Sequence, residues 1–499
     1  MPTILLAIPF GQTVRDILYT DTFQVLSQEP DVKLVLVSQA ADDTEFQHHF
    51  SQPNVVIEQL VPYQPSRFDL LLRSFHLATL RQKSSTIRMY SEGSYGGGMR
   101  RLAPLATLAE FLIGDEGIRQ ALGWAALNLA PTNAYADIFA RHQPDLVVVT
   151  RVLGSSPDFP ILKQAAQQNI PVMALVSSWD NFTSKGFFPF GVNWLVVWNE
   201  VMRDEAVEMF GFPQEKIFLS GIPRFDTYFN PTIFHSHAGG NPLSPTSKAD
   251  WNGHNTLPST SSSKLARSQF FAKMGLDPTK RLITFATATR HLLATPFDPT
   301  SPEPEIIGAL ADAIEADQLE CDVQILVRLH PLADAEAYAL VAERPFVHLQ
   351  IPGQQKTAFV DRYFAQSEDQ LLCDTLRHSD VLINVASTTT IDAAVFDTPT
   401  VCIGFDMRGP RPFLHSCRRF YQYEHYRKLG TTGGFRTAWT FDELIRHTRN
   451  YLHTPNLDQN GRCRIIEQQC HYTDGRAGER VGNFILDILG EITHQKLEI

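Results

Sequence analysis

Short, uninterrupted apolar runs rich in Val, Ile and Leu recur along the first half of the chain, between longer amphipathic stretches. Such runs are typical of parallel strands whose sheet is covered by helices on both faces. They are ILLAIPF (4–10), KLVLVS (33–38), NVVIEQL (54–60), DLVVVT (145–150), PVMALVS (171–177) and NWLVVWN (193–199). The first half therefore predicts a doubly wound α/β domain.

The stretches between these runs carry apolar residues at three- and four-residue spacing, which predicts helices. The predicted helices lie at 65–82, 103–128, 132–142, 158–168 and 200–210. The second half repeats the pattern, with strands predicted at 281–287, 322–328, 346–351, 380–385 and 400–405, and helices at 303–316, 333–343, 369–378 and 388–397. A second α/β domain is expected.

The length of 499 residues also favours two domains, because single cores stop growing near about 250–300 residues. Residues 235–263 are rich in Ser, Thr, Pro, Gly and Asn, which predicts a flexible linker or insertion. We therefore predict one Rossmann-like domain over 1–234, a second over 264–477, and a final amphipathic helix in 478–499.

Charge and cysteine usage narrow the function classes. The formal net charge of −11 argues against non-specific attraction to nucleic acid or membranes. The six cysteines show neither a CxxC pair nor a zinc-ligand spacing, so they are expected to be reduced thiols, and no metal site is predicted. The N-terminus lacks the basic region of a signal peptide, and no long apolar run follows. We expect a cytoplasmic protein and leave peripheral contact with the inner face of the membrane open.

Ligands of open parallel sheets collect beyond the carboxyl ends of the strands. After the strand at 380–385, Ser387, Thr388 and Thr389 are placed to begin a helix whose backbone N–H groups could bind a diphosphate. Asp392, about one turn further, could bind ribose hydroxyls. The alternative is a plain helix cap, in which Asp392 interacts favourably with the helix dipole.

The segment VRLHP (327–331) closes another predicted strand. Arg328 and His330 share one face of that strand, so both could donate hydrogen bonds to one phosphate. Arg290, in FATATRH (285–291), could supply another positive charge. The alternatives are a structural histidine and an ordinary surface loop.

An unusual polar and aromatic run, LVSSWDNFTSKGFFPFG (175–191), follows a strand of the first domain. It offers a stacking surface in Trp179, a carboxylate base in Asp180, an amide in Asn181 and a cation in Lys185. Together these groups predict an acceptor site. Gly11 in PFGQT, after the first strand, could allow the acceptor to approach the backbone closely. The alternatives are a tight Asx turn held by a buried Trp179 and a simple turn at Gly11.

The segment DVLINVASTTTIDAAVFDTPTVCIGF (380–405) resembles the donor-binding segment of GT-B glycosyltransferases. It is also similar to the matching segment of the CDP-glycerol glycerophosphotransferases, although Val385 and Ala386 replace that family's Asp-Tyr. R-x-H-P occurs in the same family, and the non-hydrolysing UDP-N-acetylglucosamine 2-epimerases place a similar segment near the diphosphate.

Two further segments carry the same resemblance. SGIPRFDTY (220–228) resembles the G-x-P-R/K-x-D element at the end of the first domain, which makes Arg224 and Asp226 either cleft residues or a hinge ion pair. TDGRAGERV (473–481) resembles the entry to a final helix that, in this fold, crosses back to brace the first domain. The family's His-Gly pair is replaced by the WDN of 179–181, so its base is not carried over.

The resemblance implies a GT-B fold, with an N-terminal acceptor domain and a C-terminal nucleotide-donor domain that face a cleft. It implies transfer of a glycosyl or glycerol-phosphate group from a UDP- or CDP-linked donor to a carbohydrate or lipid-linked acceptor, in polysaccharide or glycolipid synthesis. In that hypothesis Asp180 and His330 are catalytic, Arg290, Arg328, Ser387, Thr388, Thr389 and Asp392 bind the donor, and Gly11, Trp179, Asn181, Lys185 and Arg224 bind the acceptor.

Two alternatives remain, a UDP-sugar 2-epimerase and a non-catalytic sugar-nucleotide-binding protein. Dinucleotide, P-loop, hydrolase-elbow and HExxH motifs do not occur in the sequence, which disfavours those enzyme classes. No bound cofactor and no nucleic-acid partner are expected.

Overall fold

The apolar runs form two parallel sheets in the computed structural model of the chain, which confirms the predicted α/β class. The structure describes residues 1–80, 82–91, 93–129, 132–152, 156–187, 190–229, 266–288, 293, 300–331, 333–352 and 366–497. The linker predicted at 235–263 and Arg290 both lie outside these residues.

Seven strands build the N-terminal sheet, in the order β3-β2-β1-β4-β5-β6-β7. They are β1 (Thr3–Ile8), β2 (Lys33–Ser38), β3 (Val55–Gln59), β4 (Leu146–Val149), β5 (Val172–Leu175), β6 (Trp194–Val197) and β7 (Ile217–Leu219). Every residue of β1 is buried, because helices cover both faces. Leu5 and Ala7 point into one core, and Ile4 and Leu6 point into the other.

Six strands build the C-terminal sheet, in the order β10-β9-β8-β11-β12-β13. They are β8 (Arg281–Ala286), β9 (Val323–Arg328), β10 (Val347–Gln350), β11 (Val381–Asn384), β12 (Thr400–Ile403) and β13 (Arg436–Ala438). In both sheets the strand order reverses beside the first strand, at β1/β4 and β8/β11. Such switch points open a crevice at the carboxyl ends of the strands.

The described helices of the N-terminal half are α1 (Gly11–Thr13), α2 (Asp21–Gln28), α3 (Thr44–Phe50), α4 (Arg67–Thr79), α5 (Lys83–Ser91), α6 (Gly93–Asn128), α7 (Ala136–His142), α8 (Phe159–Gln167), α9 (Asn181–Ser184), α10 (Glu200–Phe210) and α11 (Asp226–Phe229). The described helices of the C-terminal half are α12 (Arg267–Met274), α13 (Glu303–Glu315), α14 (Gln366–His378), α15 (Thr389–Val395), α16 (Glu424–Gly430), α17 (Phe441–His453), α18 (Gln459–Cys470) and α19 (Ala477–Leu497). A π-helical turn, Val14–Leu18, extends α1.

One predicted helix is wrong. Residues 333–343 form two short 3₁₀ turns, Ala335–Tyr338 and Val341–Glu343. The side chain of Asp334 accepts the N–H of Glu336, and Pro345 disfavours a helical conformation at Arg344, which is extended. These two features leave too few residues for a regular helix.

The last helix, α19, packs on the N-terminal sheet rather than on the domain that precedes it. Val481, Ile485 and Leu489 join the core that contains Ile4 and Leu6. The ring of Phe484 stacks on that of Phe218, with the centroids 4.2 Å apart.

The start of α19 is held by Asp226, whose two carboxylate oxygens accept the N–H groups of Ala477 at 2.8 Å and Gly478 at 2.6 Å. Thr22 on α2 donates its hydroxyl to the carbonyl oxygen of Gly478 at 3.1 Å. Helix N-termini leave such N–H groups without intrahelical partners, so a carboxylate there is stabilising.

Other contacts join the two halves away from the sheets. Glu424 at the start of α16 accepts the N–H of Ser84 on α5 at 2.9 Å. Lys428 on α16 forms an ion pair with the buried Glu205 on α10 at 2.8 Å. The relative position of the two sheets is therefore fixed by polar contacts as well as by apolar packing.

Helix α6 presents an apolar face to solvent. Leu105, Leu108 and Leu112 recur at three- and four-residue spacing and are 54–67% exposed, and the neighbouring Phe111 is 86% exposed. Gly114, with φ 70° and ψ 171°, interrupts the helix directly after this segment. Among the described helices, none combines the length and hydropathy that crossing a bilayer requires.

We expect Asp226→Ala to lower the free energy of unfolding by about 1–2 kcal/mol, because two N–H groups lose their acceptor. Burial raises the pKa of Asp226 to about 7, despite the two N–H donors. Asp226 therefore contributes most below the unfolded-state pKa of about 4, and its contribution is lost as pH rises through about 7. Urea unfolding at about pH 5 and pH 8 should show the larger difference at the lower pH.

The matched control is Asp487→Ala on an exposed position of the same helix, which should stay within about 0.5 kcal/mol of the wild type. Equal effects of the two substitutions would contradict the capping role of Asp226.

Candidate functional site

The predicted diphosphate-binding strand, β9, ends at Arg328 as the sequence indicates. The guanidinium of Arg328 donates to the amide oxygen of Gln350 on β10, and the amide nitrogen of Gln350 donates to the hydroxyl of Thr375 at 2.9 Å. The backbone N–H of His330 donates to the hydroxyl of Thr287 at 2.8 Å. These contacts fix both residues at the carboxyl end of the sheet.

The turn between β11 and α15 is tightly bonded. Ala386 has a positive φ of 41°, which is unusual for a residue with a side chain and marks a sharp turn. The amide nitrogen of Asn384 donates to the hydroxyl of Thr389 at 3.2 Å, and Tyr426 donates its hydroxyl to the carbonyl oxygen of Ser387 at 3.0 Å. Thr388 is the N-cap residue of α15, and its side chain accepts no capping hydrogen bond.

Asp392 and Arg224, which the sequence analysis assigned to donor and acceptor binding, contact each other. Arg224 forms a bidentate ion pair with the two carboxylate oxygens of Asp392, at 2.6 and 3.2 Å. Tyr228 donates its hydroxyl to the same carboxylate at 2.8 Å. The side chain of Asp392 is only 2% exposed, so ribose binding would require it to leave Arg224.

A residue that the sequence analysis missed, Arg15, lies beside this pair. It is on the π-helical turn after β1 and forms ion pairs with Asp16 at 2.8 Å and with Asp369 on α14 at 3.8 Å. The signal for it was a basic residue a few positions beyond Gly11, which begins α1. Arg15 belongs to the N-terminal half and Asp369 to the C-terminal half, so this contact also crosses the cleft.

Asp369 lies at the centre of this charged group. Burial raises the pKa of Asp369 to about 6, although the positive charges of Arg15, Arg224 and Arg328 act in the opposite direction. Asp16 adds to the rise. Three arginines, two from the first domain and one from the second, therefore act electrostatically on one partly protonated carboxyl.

The predicted acceptor segment packs against α16 of the second domain. The Trp179 ring contacts His425 edge-on, with centroids 4.8 Å apart, and Tyr426 at 5.4 Å. Trp179 and Asn181 are buried. Thr183 shares a hydrogen bond of 2.8 Å with the Nδ1 atom of His425.

Asp180 forms an ion pair with Lys185 at 2.9 Å and accepts the hydroxyl of Ser178 at 2.5 Å. Burial acts to raise the pKa of Asp180, but the charges of Lys185 and His425 and the Ser178 hydrogen bond outweigh it and lower this pKa. Burial lowers the pKa of His425 to about 4. A carboxylate with a lowered pKa is a weak base, so this geometry favours Asp180 as a ligand rather than a proton acceptor.

The structure thus brings Arg15, Arg224, Arg328, Asp369 and Asp392 together, and it places Trp179, Asp180, Asn181 and Lys185 in a second cluster against α16. Gly11 begins α1 beside Arg15. Among the described residues no group of three His, Cys, Asp or Glu side chains could hold a metal ion.

Arginines in a partly buried cleft suit the binding of an anion. Their planar guanidinium groups bind phosphate bidentately, and their charge is independent of pH in the range where proteins are stable. Carboxylates form ion pairs with Arg15 and Arg224 in this structure, so an anion that binds either of these two arginines would compete with a carboxylate.

No protein-family model and no curated protein sequence matches the chain. Solved structures do. The S. aureus MnaA–UDP co-structure superposes with a TM-score of 0.53 and 11% identity, covering 99% of this chain and 98% of that one. UDP-GlcNAc 2-epimerase from Neisseria meningitidis, solved with bound UDP-GlcNAc, superposes with a TM-score of 0.52 and 10% identity. The match covers 97% of this chain and 100% of that one.

The wall teichoic acid polymerase TagF gives a TM-score of 0.48 at 12% identity, covering 98% of this chain and 90% of that one, and this similarity is too distant to carry an argument. At such identities the other two matches establish the fold alone. They confirm the predicted GT-B arrangement of two Rossmann-like domains.

We expect Arg224→Met to destabilise the protein by about 3–5 kcal/mol, because it leaves the buried Asp392 carboxylate without its cation. The double variant Arg224→Met/Asp392→Leu should recover most of that loss, since no buried charge then remains. Urea unfolding of the two variants measures both values. A double variant that is as unstable as the single one would show that the pair stabilises through packing instead.

Proposed function

We propose that this GT-B protein is a glycosyltransferase-like enzyme. It moves a glycosyl or glycerol-phosphate group from a nucleotide diphosphate donor to an acceptor hydroxyl, in the synthesis of a surface polysaccharide or glycolipid. The observation that carries the proposal is the group of three arginines, Arg15, Arg224 and Arg328, that act on Asp369 from both domains.

The arginines are proposed to bind the donor diphosphate and to stabilise the negative charge that grows on it as it departs. Fixed positive groups in a site with little water stabilise such charge more strongly than bulk solvent does. His330 and the start of α15, at Ser387, Thr388 and Thr389, are proposed to complete the phosphate site. Arg290 remains a proposed donor ligand outside the described residues.

The carboxylates in the cleft are proposed to act as exchangeable partners. Asp16 and Asp369 form ion pairs with Arg15 without a ligand, and a diphosphate would take their place. Protonation of Asp369 removes one competing negative charge, so it should favour binding. Asp392 keeps Arg224 in position, and its predicted ribose contact remains a second hypothesis.

The acceptor is proposed to bind beside Trp179, Asp180, Asn181 and Lys185, with Gly11 allowing close approach of the backbone. Asp180 would orient an acceptor hydroxyl through hydrogen bonds. Since Lys185 keeps Asp180 ionised, we propose a positioning role for it.

A second candidate is a UDP-sugar 2-epimerase. The observation that favours it is the fold similarity to one structure solved with UDP and another solved with UDP-GlcNAc. That reaction needs acid and base groups on both faces of the sugar and no acceptor. The fate of the donor therefore separates the two candidates.

We expect UDP-N-acetylglucosamine or another nucleotide-linked donor to bind more tightly as pH falls from about 7 to 5, because Asp369 becomes protonated through its pKa of about 6. A diphosphate diester is the right probe, since it has no phosphate group with a pKa near 6. Asp369→Asn should raise the affinity at about pH 7 by roughly tenfold and flatten the pH dependence. Calorimetry across a panel of donors measures both effects.

Asp312→Asn is the matched control, because Asp312 lies on the surface beside Arg344. Binding of no donor at any pH would count against the proposed function. Nuclear magnetic resonance of the incubated donor then distinguishes transfer, which needs an acceptor, from 2-epimerisation, which does not. Binding without either product would identify a non-catalytic binding protein.

We further propose peripheral contact with a membrane, through the exposed apolar face of α6. Leu105, Leu108, Phe111 and Leu112 present this face, while Ala106 on the same segment is buried. A helical segment that is apolar on both sides, with only one side packed on protein, is suited to lie at a lipid surface. A lipid-linked acceptor would be delivered from that surface.

Phe111→Asp/Leu112→Asp should reduce binding to phosphatidylglycerol-containing vesicles by at least about tenfold, because two apolar side chains no longer enter the bilayer. Leu340→Asp is the matched control, since Leu340 is 79% exposed on the other domain. Vesicle sedimentation measures both variants. Equal vesicle binding by the Phe111→Asp/Leu112→Asp variant and the Leu340→Asp control would contradict the proposed contact. Absence of vesicle binding by the wild type would contradict it as well.

A further inference from the structure

A cavity of about 510 Å³ lies in the N-terminal domain, apart from the charged cleft. It is bounded by the loop after β3, the start of α4, the start of α8 and the residues before α7. The β3 loop and α8 both follow carboxyl ends of strands, so the cavity opens on the same side of the sheet as the cleft. Its volume is typical of sites for small molecules.

A buried ion pair forms the polar end of the cavity. Lys163 on α8 donates to the Oδ1 atom of Asp69 at 3.0 Å, and both side chains are at least nine-tenths buried. The Oδ2 atom of Asp69 accepts the hydroxyl of Ser66 at 2.7 Å, which fixes the carboxylate at the start of α4. Because the two charges cancel, this wall suits a neutral polar ligand better than an anion.

An unused hydroxyl group lies beside this pair. The hydroxyl oxygen of Tyr63 is buried, and it has no hydrogen-bond partner among the described residues. Burial raises the pKa of Tyr63, and the charge of Asp69 adds to the rise, so the O–H stays protonated. A buried hydroxyl without a partner costs stability, which a ligand that hydrogen-bonds to it would recover.

Aromatic rings form the apolar part of the cavity wall. Tyr63, Phe68 and Tyr135 line it. The hydroxyl of Tyr135 accepts the N–H of Val61 at 3.0 Å, which holds the β3 loop against the cavity. Aromatic faces pack against the C–H faces of sugar rings, while the hydroxyls of a sugar need both donors and acceptors.

We infer that this cavity is a binding site for a neutral saccharide. Lys163 and Tyr63 would donate to sugar oxygens, and the Tyr63 oxygen and Asp69 would accept sugar hydroxyls. The rings of Tyr63 and Phe68 would stack on the sugar, whereas the fully buried Tyr135 supports the wall behind them. Its interpretation as an acceptor subsite rests on the proposed function, whereas saccharide binding itself does not.

The test is saturation-transfer nuclear magnetic resonance and calorimetry of the full chain with maltose, lactose and di-N-acetylchitobiose. At least one should bind, and Tyr63→Phe should weaken that binding by about tenfold, because one hydrogen bond is lost. Tyr63→Phe should not lower the melting temperature, since the hydroxyl it removes has no partner in the protein. Tyr472→Phe, at a partly exposed tyrosine of the other end of the chain, is the matched control.

The charge-deleted variant Asp69→Asn/Lys163→Gln provides the second measurement and should also weaken saccharide binding. Affinity that is unchanged in both variants would place the saccharide elsewhere and overturn the inference. Competition by inorganic phosphate would overturn it as well, because it would indicate an anion site. Saccharide binding without donor binding would support the saccharide site and contradict the proposed function. Donor binding without saccharide binding would support the proposed function and overturn the saccharide site.

Discussion

A buried ion pair between Arg224 and Asp392 joins the two domains inside the cleft. It joins residues 168 positions apart in sequence, and Tyr228 completes it. Both side chains are largely buried, so removing either one leaves an unpaired charge in the protein interior. Around this pair, Arg15, Arg224 and Arg328 all lie within electrostatic range of Asp369.

Much of the fold was predictable because its signals are local. A buried parallel strand must be apolar on both faces, and the runs at β1, β2 and β4 meet that requirement within four to six residues. The same is not true of β13, Arg436–Ala438, a three-residue edge strand whose sequence has no apolar run. The helix predicted at 333–343 is wrong because Asp334 and Pro345, rather than the spacing of apolar residues, decide the conformation there.

The candidate site was only partly predictable. Arg328 ends β9, and His330 and the start of α15 lie just beyond the ends of strands, so the rule for parallel sheets selects all three. Partnerships across the cleft leave no trace in local sequence, which is why Arg224 and Asp392 were assigned to different ligands. Trp179 shows the same limit, because whether an aromatic ring stacks on a ligand or on His425 is decided by tertiary packing.

The position of the last helix has a consequence for how the protein is made. The core around β1 includes Ile4 and Leu6, and it also includes Ile485 and Leu489, which lie beyond the whole second domain in sequence. During synthesis, that face of the N-terminal sheet therefore stays uncovered until the second domain and α19 have both been made. The domain that comes first in sequence is thus completed after the one that follows it.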